Sequence, residues 1–205
     1  MQCYLRVSMM SLCFSGCSFT YGGGLEQTEQ RYSRIVSDYY GLSDNNISVC
    51  GASNDDIVKR TIMYLEENTV DIMVIQFTFT DRCQWLDHKG RISNWKPSMK
   101  TNKPSPRNRW YRDVYNKYVG LENAYKNMSL FDLYCKSRKQ KYIPLVAELT
   151  KDYDLDCHWK KLYKSNLTRV YPTGLFPIES DRHPNAEENK EMAKIVIGKI
   201  DEVTV

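Results

Sequence analysis

Val70-Asp71-Ile72-Met73-Val74-Ile75-Gln76-Phe77 is nearly all apolar and rich in β-branched side chains. A strand wet on one face alternates apolar with polar residues. One covered on both faces reads as a continuous apolar run, the habit of a parallel sheet between helices. The sequence upstream fits that arrangement. Ser53 and Asp56 stand at capping-box spacing and open a helix with Ile57, Thr61, Tyr64 and Leu65 on one face. Before it, residues 47–50 predict a short strand. Residues 28–40 carry Tyr32, Ile35, Val36 and Tyr39 at the spacing of an amphipathic helix, with Gly41 as its C-cap. Residues 12–19 predict a first buried strand that ends in Gly22, Gly23 and Gly24.

Downstream, residues 81–107 are polar and hold Pro97, Pro104 and Pro106, too long a stretch for an ordinary connection. Residues 108–139 then read as helical, with Trp110, Val114, Tyr118, Leu121 and Tyr125 in step and Gly120 as a point of interruption. Residues 142–149 predict a further strand, and residues 151–168 are polar and mixed. The last helix is the clearest: Asn185 caps it, Glu187 and Glu188 occupy its first turn, and Lys194 and Lys199 lie toward its end, as the helix dipole favours. Met192, Ile195, Val196 and Ile200 form its buried stripe. Strands alternating with helices predict an α/β fold: one three-layer α/β/α domain over residues 1–205, with a mostly parallel central sheet and an insertion at about 81–140. In such folds the site lies at the carboxyl ends of the strands.

Composition narrows the function classes. The chain has 205 residues, 41% of them hydrophobic and 26% charged, which excludes collagen-like, low-complexity and disordered classes. A net charge of +4 is too mild to argue for nucleic acid. The basic groups at residues 100–112 and 136–141 read as solvated faces. Seven cysteines without a Cys-x-x-Cys pair fit a reducing compartment, and no zinc-ligand spacing is present. No apolar run is long enough to span a membrane. Phe14-Ser15-Gly16-Cys17 resembles a lipoprotein cleavage box, but Arg6 is the only early positive side chain, so a cytoplasmic protein is expected over an exported one.

Gly16-Cys17-Ser18-Phe19-Thr20 falls where the first strand ends, so Ser18 stands at the sheet's carboxyl edge, a place for a nucleophile. The spacing is not Gly-x-Ser-x-Gly, because Thr20 takes the place of the second glycine. A serine nucleophile needs a base. Of three histidines, His88 lies in an Asp87-His88-Lys89-Gly90 turn and His158 among lysines. His183 instead sits in Asp181-Arg182-His183-Pro184-Asn185, just before the last helix and two residues after a carboxylate that could orient it. Acyl transfer also needs donors for an oxyanion. Gly51 ends the second strand, where its N–H can approach a substrate, and Asn54 and Thr80 could add a side-chain donor.

These blocks resemble the SGNH (GDSL-type) hydrolase family, over most of the chain except about residues 85–140. Phe14-Ser15-Gly16-Cys17-Ser18-Phe19-Thr20-Tyr21-Gly22 is similar to its first block, with Ser18 at the nucleophile. Ile47-Ser48-Val49-Cys50-Gly51-Ala52-Ser53 is similar to its second, with Gly51 at the oxyanion glycine. Asp181-Arg182-His183-Pro184-Asn185 is similar to its last, with His183 as base. The phrasing looks most like compact members from bacteria and tailed phages. The resemblance implies the family's flavodoxin-like α/β/α fold and no metal or organic cofactor. There are departures. Cys17 replaces the acidic residue before the nucleophile and is itself a candidate for reactivity. The third block lacks Gly-x-Asn-Asp: Thr80 stands at the asparagine, with Thr78 and Asn54 as alternatives. The family's Asp position holds Ser180, and Asp181 is one residue late.

The resemblance therefore implies a serine hydrolase of ester bonds. Ser18 is the nucleophile, His183 the base and Asp181 the orienting acid. Ser18, Gly51, Thr80 and Asn54 are the oxyanion candidates. Its substrate would be a small acyl ester or an acylated carbohydrate, with no nucleic-acid or membrane partner. Trp85, Trp95, Trp110 and Tyr111 in the insertion read equally as a groove wall or as extra core. The rival is a catalytically weakened protein of the same fold that binds carbohydrate without turnover. A second rival uses Tyr21-Gly22-Gly23-Gly24 as a phosphate loop, but lacks both phosphate-loop signatures.

Overall fold

The computed structural model describes residues 10–95, 105–147 and 183–204. In chain order the elements are β1 (Leu12–Ser15), α1 (Ser18–Tyr21), α2 (Tyr32–Tyr39), α3 (Asn54–Glu67), β2 (Ile72–Phe77), β3 (Cys83–Leu86), β4 (Ile92–Trp95), α4 (Pro106–Arg109), α5 (Lys117–Arg138), β5 (Lys141–Val146) and α6 (Ala186–Thr204). A 3-10 turn at Thr28–Gln30 and a π turn at Trp110–Val114 join them.

β2 is the middle strand of a parallel sheet ordered β1-β2-β5. Leu12 lies opposite Ile72 on one side, and Lys141 opposite Ile72 on the other. All six residues of β2 are buried, as its unbroken apolar run predicts. The pleat divides the core in two. Leu12, Phe14, Ile72, Val74, Ile143 and Leu145 face Tyr32 and Val36 of α2 and Met192, Val196 and Ile200 of α6. Cys13, Met73, Ile75, Phe77 and Val146 face Ile57 and Leu65 of α3 and Met128 and Phe131 of α5. Each fully buried aliphatic or Phe side chain contributes about 1.5–3 kcal/mol. The result is the expected three-layer α/β/α fold.

Several local expectations need correction. β1 stops at Ser15, because Ser18 already begins α1. The strand expected at 47–50 is an irregular segment along the free edge of β1. Phe14 N–H donates to Asn45 O (2.8 Å) and Ile47 N–H to Phe14 O (2.8 Å), and only Asn46 forms a regular parallel bridge. Asn46 Oδ1 accepts the Ser48 N–H at 3.0 Å, a local side-chain bond that competes with a ladder. The helix expected at 28–40 is split at Arg31, which is extended and paired with Asp44 at 2.7 Å. Gly41 does follow α2 with φ +66°.

The helix expected at 108–139 breaks at Tyr115 and Asn116, not at Gly120. Asn116 Oδ1 caps α5 by accepting the Tyr118 and Val119 N–H groups, both at 3.0 Å. The helix runs on through Gly120, where a side chain would collide with Thr80 O and Tyr115. α5 lies inside the expected insertion, yet it is a layer helix packed on α3 and the sheet. Residues 83–95 form a β3–β4 hairpin, with Trp85 stacked on Trp95 at 4.4 Å. α6 starts as predicted, through a reciprocal box: Asn185 Oδ1 accepts the Glu188 N–H, and Glu188 Oε2 accepts the Asn185 N–H.

Candidate active site

Ser18 opens α1 at the carboxyl end of β1 and is buried. Two glycines let this turn form. A side chain at Gly16 would strike Thr20 Oγ1 and come within 3.0 Å of Gln76 Cβ. Gly22 closes α1 at φ +89°, and its N–H, with that of Gly23, bonds to Ser18 O at 3.1 and 2.7 Å. Below the turn a polar chain is anchored in the core: Tyr32 Oη donates to Thr20 Oγ1 at 2.9 Å, and Thr20 bonds Gln76 Oε1. Burial pushes the Tyr32 phenol well above its ordinary pKa.

His183 precedes α6 and reaches the same place from the other end of the chain. The position a Cβ would take at Gly23 lies 3.2 Å from both His183 Nε2 and Ser18 Cβ, so imidazole and serine meet across this glycine. Catalytic contacts of this kind often tighten only with substrate bound. Gly24, at φ +82°, leaves room for the His183 Cβ, which a side chain there would approach to 2.9 Å. Phe19 closes the far side, edge-on to His183 at 5.8 Å and to Phe79 at 5.6 Å. The His183 loop is tied down by Asn189: its Nδ2 donates to Pro184 O (3.2 Å) and its Oδ1 accepts the Tyr32 N–H (3.0 Å).

The remaining candidates divide. Gly51 lies on the same edge, at φ +77°, which favours glycine; its N–H meets no acceptor among the described residues. Val49 N–H donates to Gly16 O at 3.2 Å and so holds this segment against the Ser18 turn. Thr80 sits in the turn after β2, backed by Gly120. Asn54 is buried at the start of α3, and its amide grips the end of β2, accepting Thr78 N–H at 2.7 Å and donating to Thr78 O at 3.2 Å. That amide clamps the end of β2 through its Oδ1 and one of its two Nδ2 hydrogens. Asp181 and His158 lie outside the described residues, and His88 is exposed in the β3–β4 turn. Cys17 is buried. Cys50 is exposed, its thiol pushed up by partial burial and by Cys17, against the opposing pull of Arg82. Among the described residues no cluster of His, Cys, Asp or Glu could hold a metal ion, and no helix is long and apolar enough to cross a membrane.

No protein-family model matches the sequence, and no curated protein matches it. Solved structures do. An esterase, EstA, from Pseudoalteromonas sp., in a form inhibited by monoethylphosphonate, superposes with a TM-score of 0.55 at 12% identity, over 94% of this chain and 97% of that one. A GDSL-like lipase from Bacteroides thetaiotaomicron gives 0.51 at 12%, over 94% and 88%. The chain has the SGNH hydrolase fold. A carbohydrate esterase whose active site is described as displaying divergent catalytic and non-catalytic binding functions gives 0.59 at 11% identity, over 96% and 70%.

Within the SGNH fold, the two candidates Ser18 and His183 are brought to one place, but sequence reasoning missed what seats them. Gly23 and Gly24 read as a strand end or a phosphate loop, whereas the space against them is filled by His183. Two consecutive glycines after a nucleophile candidate were the available signal. Phe19, Phe79 and Asn189 carried none, since each acts through a contact distant in sequence.

Proposed function

We propose that this protein is a serine ester hydrolase. The observation that carries the reading is the meeting of His183 Nε2 and Ser18 Cβ across Gly23. Ser18 Oγ attacks the ester carbonyl carbon and its proton passes to His183 Nε2. The Ser18 and Gly51 N–H groups hold the oxyanion. The tetrahedral intermediate collapses, and the departing alcohol takes the proton from His183. Water then gives a proton to His183 and its oxygen attacks the acyl-serine. Collapse of this second intermediate returns the proton to Ser18 and releases the acid. Asp181 is the proposed partner that orients His183. A small acyl ester, such as an acetylated carbohydrate, is the proposed substrate, supported by the esterases that share the fold. Thr80 and the second Nδ2 hydrogen of Asn54 are the proposed further oxyanion donors; losing one such donor costs about 100–1,000-fold in rate.

A second reading, carbohydrate binding without turnover, is favoured by Thr80 standing where the family has an asparagine and by the partly exposed Trp85 stacked on Trp95. One experiment separates the two. A fluorophosphonate probe, followed by peptide mapping, is expected to label Ser18 in the wild type and to fail in Ser18→Ala and His183→Ala. Folded wild-type protein that takes no label, yet binds on a glycan array, would replace the first reading with the second.

A further inference from the structure

Arg82 follows the turn that closes β2, with its N–H directed to Phe79 O at 3.4 Å. Its guanidinium lies over the Phe79 ring, 5.0 Å from the centroid. Phe79 touches Phe19, which touches His183, so the cation stands at the end of the aromatic wall that lines the Ser18–His183 site. Its charge also acts on Cys50, the residue before Gly51. Arg82 Nη1 is buried and has no hydrogen-bond partner, and no ion pair among the described residues includes Arg82. A buried, charged donor without an acceptor is costly. The ring occupies the guanidinium's face, while its N–H donors lie in the plane, and Nη1 among them is unpartnered.

The turn is braced from behind. Tyr111 Oη donates to Asp81 O at 2.7 Å, and Gly120 of α5 lets the helix approach Thr80 O so closely that a Cβ would come within 2.5 Å of it. The guanidinium is therefore presented on a preset backbone, the condition for selective recognition.

We propose that Arg82 forms an anion subsite beside the Ser18–His183 pair, so that the preferred ester carries a negatively charged oxygen group, a carboxylate or a phosphate, near the scissile bond. A planar fork of N–H donors matches such groups in two-point contact. This rests on the hydrolase reading only for the word ester; the anion subsite itself does not need turnover.

Two readouts test it. In turnover, 4-nitrophenyl hemiglutarate is compared with the neutral 4-nitrophenyl pentanoate. The wild type is expected to favour the anionic ester in kcat/KM by about tenfold or more, Arg82→Gln to lose most of that ratio, and Arg82→Lys to recover part of it. An equal ratio in wild type and Arg82→Gln, with both folded by circular dichroism, overturns the proposal. Independently of turnover, the Nε–H resonance of Arg82 in 15N-labelled Ser18→Ala is titrated with monomethyl glutarate and with methyl pentanoate. A shift with the first alone supports the subsite. No shift, or the same shift with both, overturns it. A selective shift in a protein that hydrolyses neither ester removes the hydrolase reading and keeps the subsite. The same titration with inorganic phosphate, set against the carboxylate, tells which anion the fork prefers.

Discussion

A methyl group added at Gly23 would meet His183 Cδ2 at 3.1 Å, His183 Nε2 at 3.2 Å and Ser18 Cβ at 3.2 Å, so one atom would part the two residues assigned to the chemistry. Gly23 does not have a positive φ, so its backbone accepts alanine. Gly23→Ala is therefore expected to melt close to the wild type but to react with fluorophosphonate at least about tenfold more slowly, since displacement by about 1 Å costs on the order of 100-fold. Undiminished labelling would detach Gly23 from the site. Gly24→Ala differs in kind. At φ +82° it also strains the backbone by about 1–2 kcal/mol, and should lower the melting temperature as well. Ser18 and His183 were legible because their neighbours in sequence carry the signal. The contact between Gly23 and His183 joins opposite ends of the chain, and no local pattern announces it.

Asn189 shows how helices place a loop. Its single amide takes the Tyr32 N–H at the start of α2 and gives a hydrogen bond to Pro184 O beside His183. Asn189→Leu keeps the volume but leaves both backbone groups unpaired in a buried place. It is expected to cost about 1–3 kcal/mol, read as a lower urea midpoint at unchanged slope. A midpoint within error of the wild type would mean that other groups carry this joint. The same kind of bond explains which elements could be read from sequence. β2, α3 and α6 follow from apolar period and caps. The irregular edge at 45–49, the break at Arg31 and the break at Asn116 follow from Asn and Arg side chains bonding to backbone groups or to a carboxylate, which periodicity does not register. The β3–β4 hairpin escaped notice because Asp87 organises its turn, accepting the Lys89 and Arg91 N–H groups, without alternation in the flanking strands.

Three acids that ionise only at high pH are locked into the two faces of the sheet. Burial pushes the thiols of Cys13 and Cys135 up to about 12, and raises the Tyr32 phenol too. In the unfolded chain these groups lose their protons near their ordinary values, the thiols at 9.0. The unfolded state thus releases protons first. Stability from this source is complete below pH 9 and declines as pH rises through the folded-state values. Urea midpoints are expected to be level from pH 7 to 8.5 and to fall steadily by pH 10.5, less steeply in Cys135→Ala; level midpoints throughout would show these groups to be solvated.

Since His183 stands on the threshold of α6, 165 residues after Ser18, the serine waits for all of that chain before it can meet the imidazole. β1 and α1 emerge early and α6 late, and contacts so far apart in the chain close slowly. On the proposed mechanism, a growing polypeptide cannot yet act on esters, because the serine is armed only by the docking of the helix that completes the second face of the sheet.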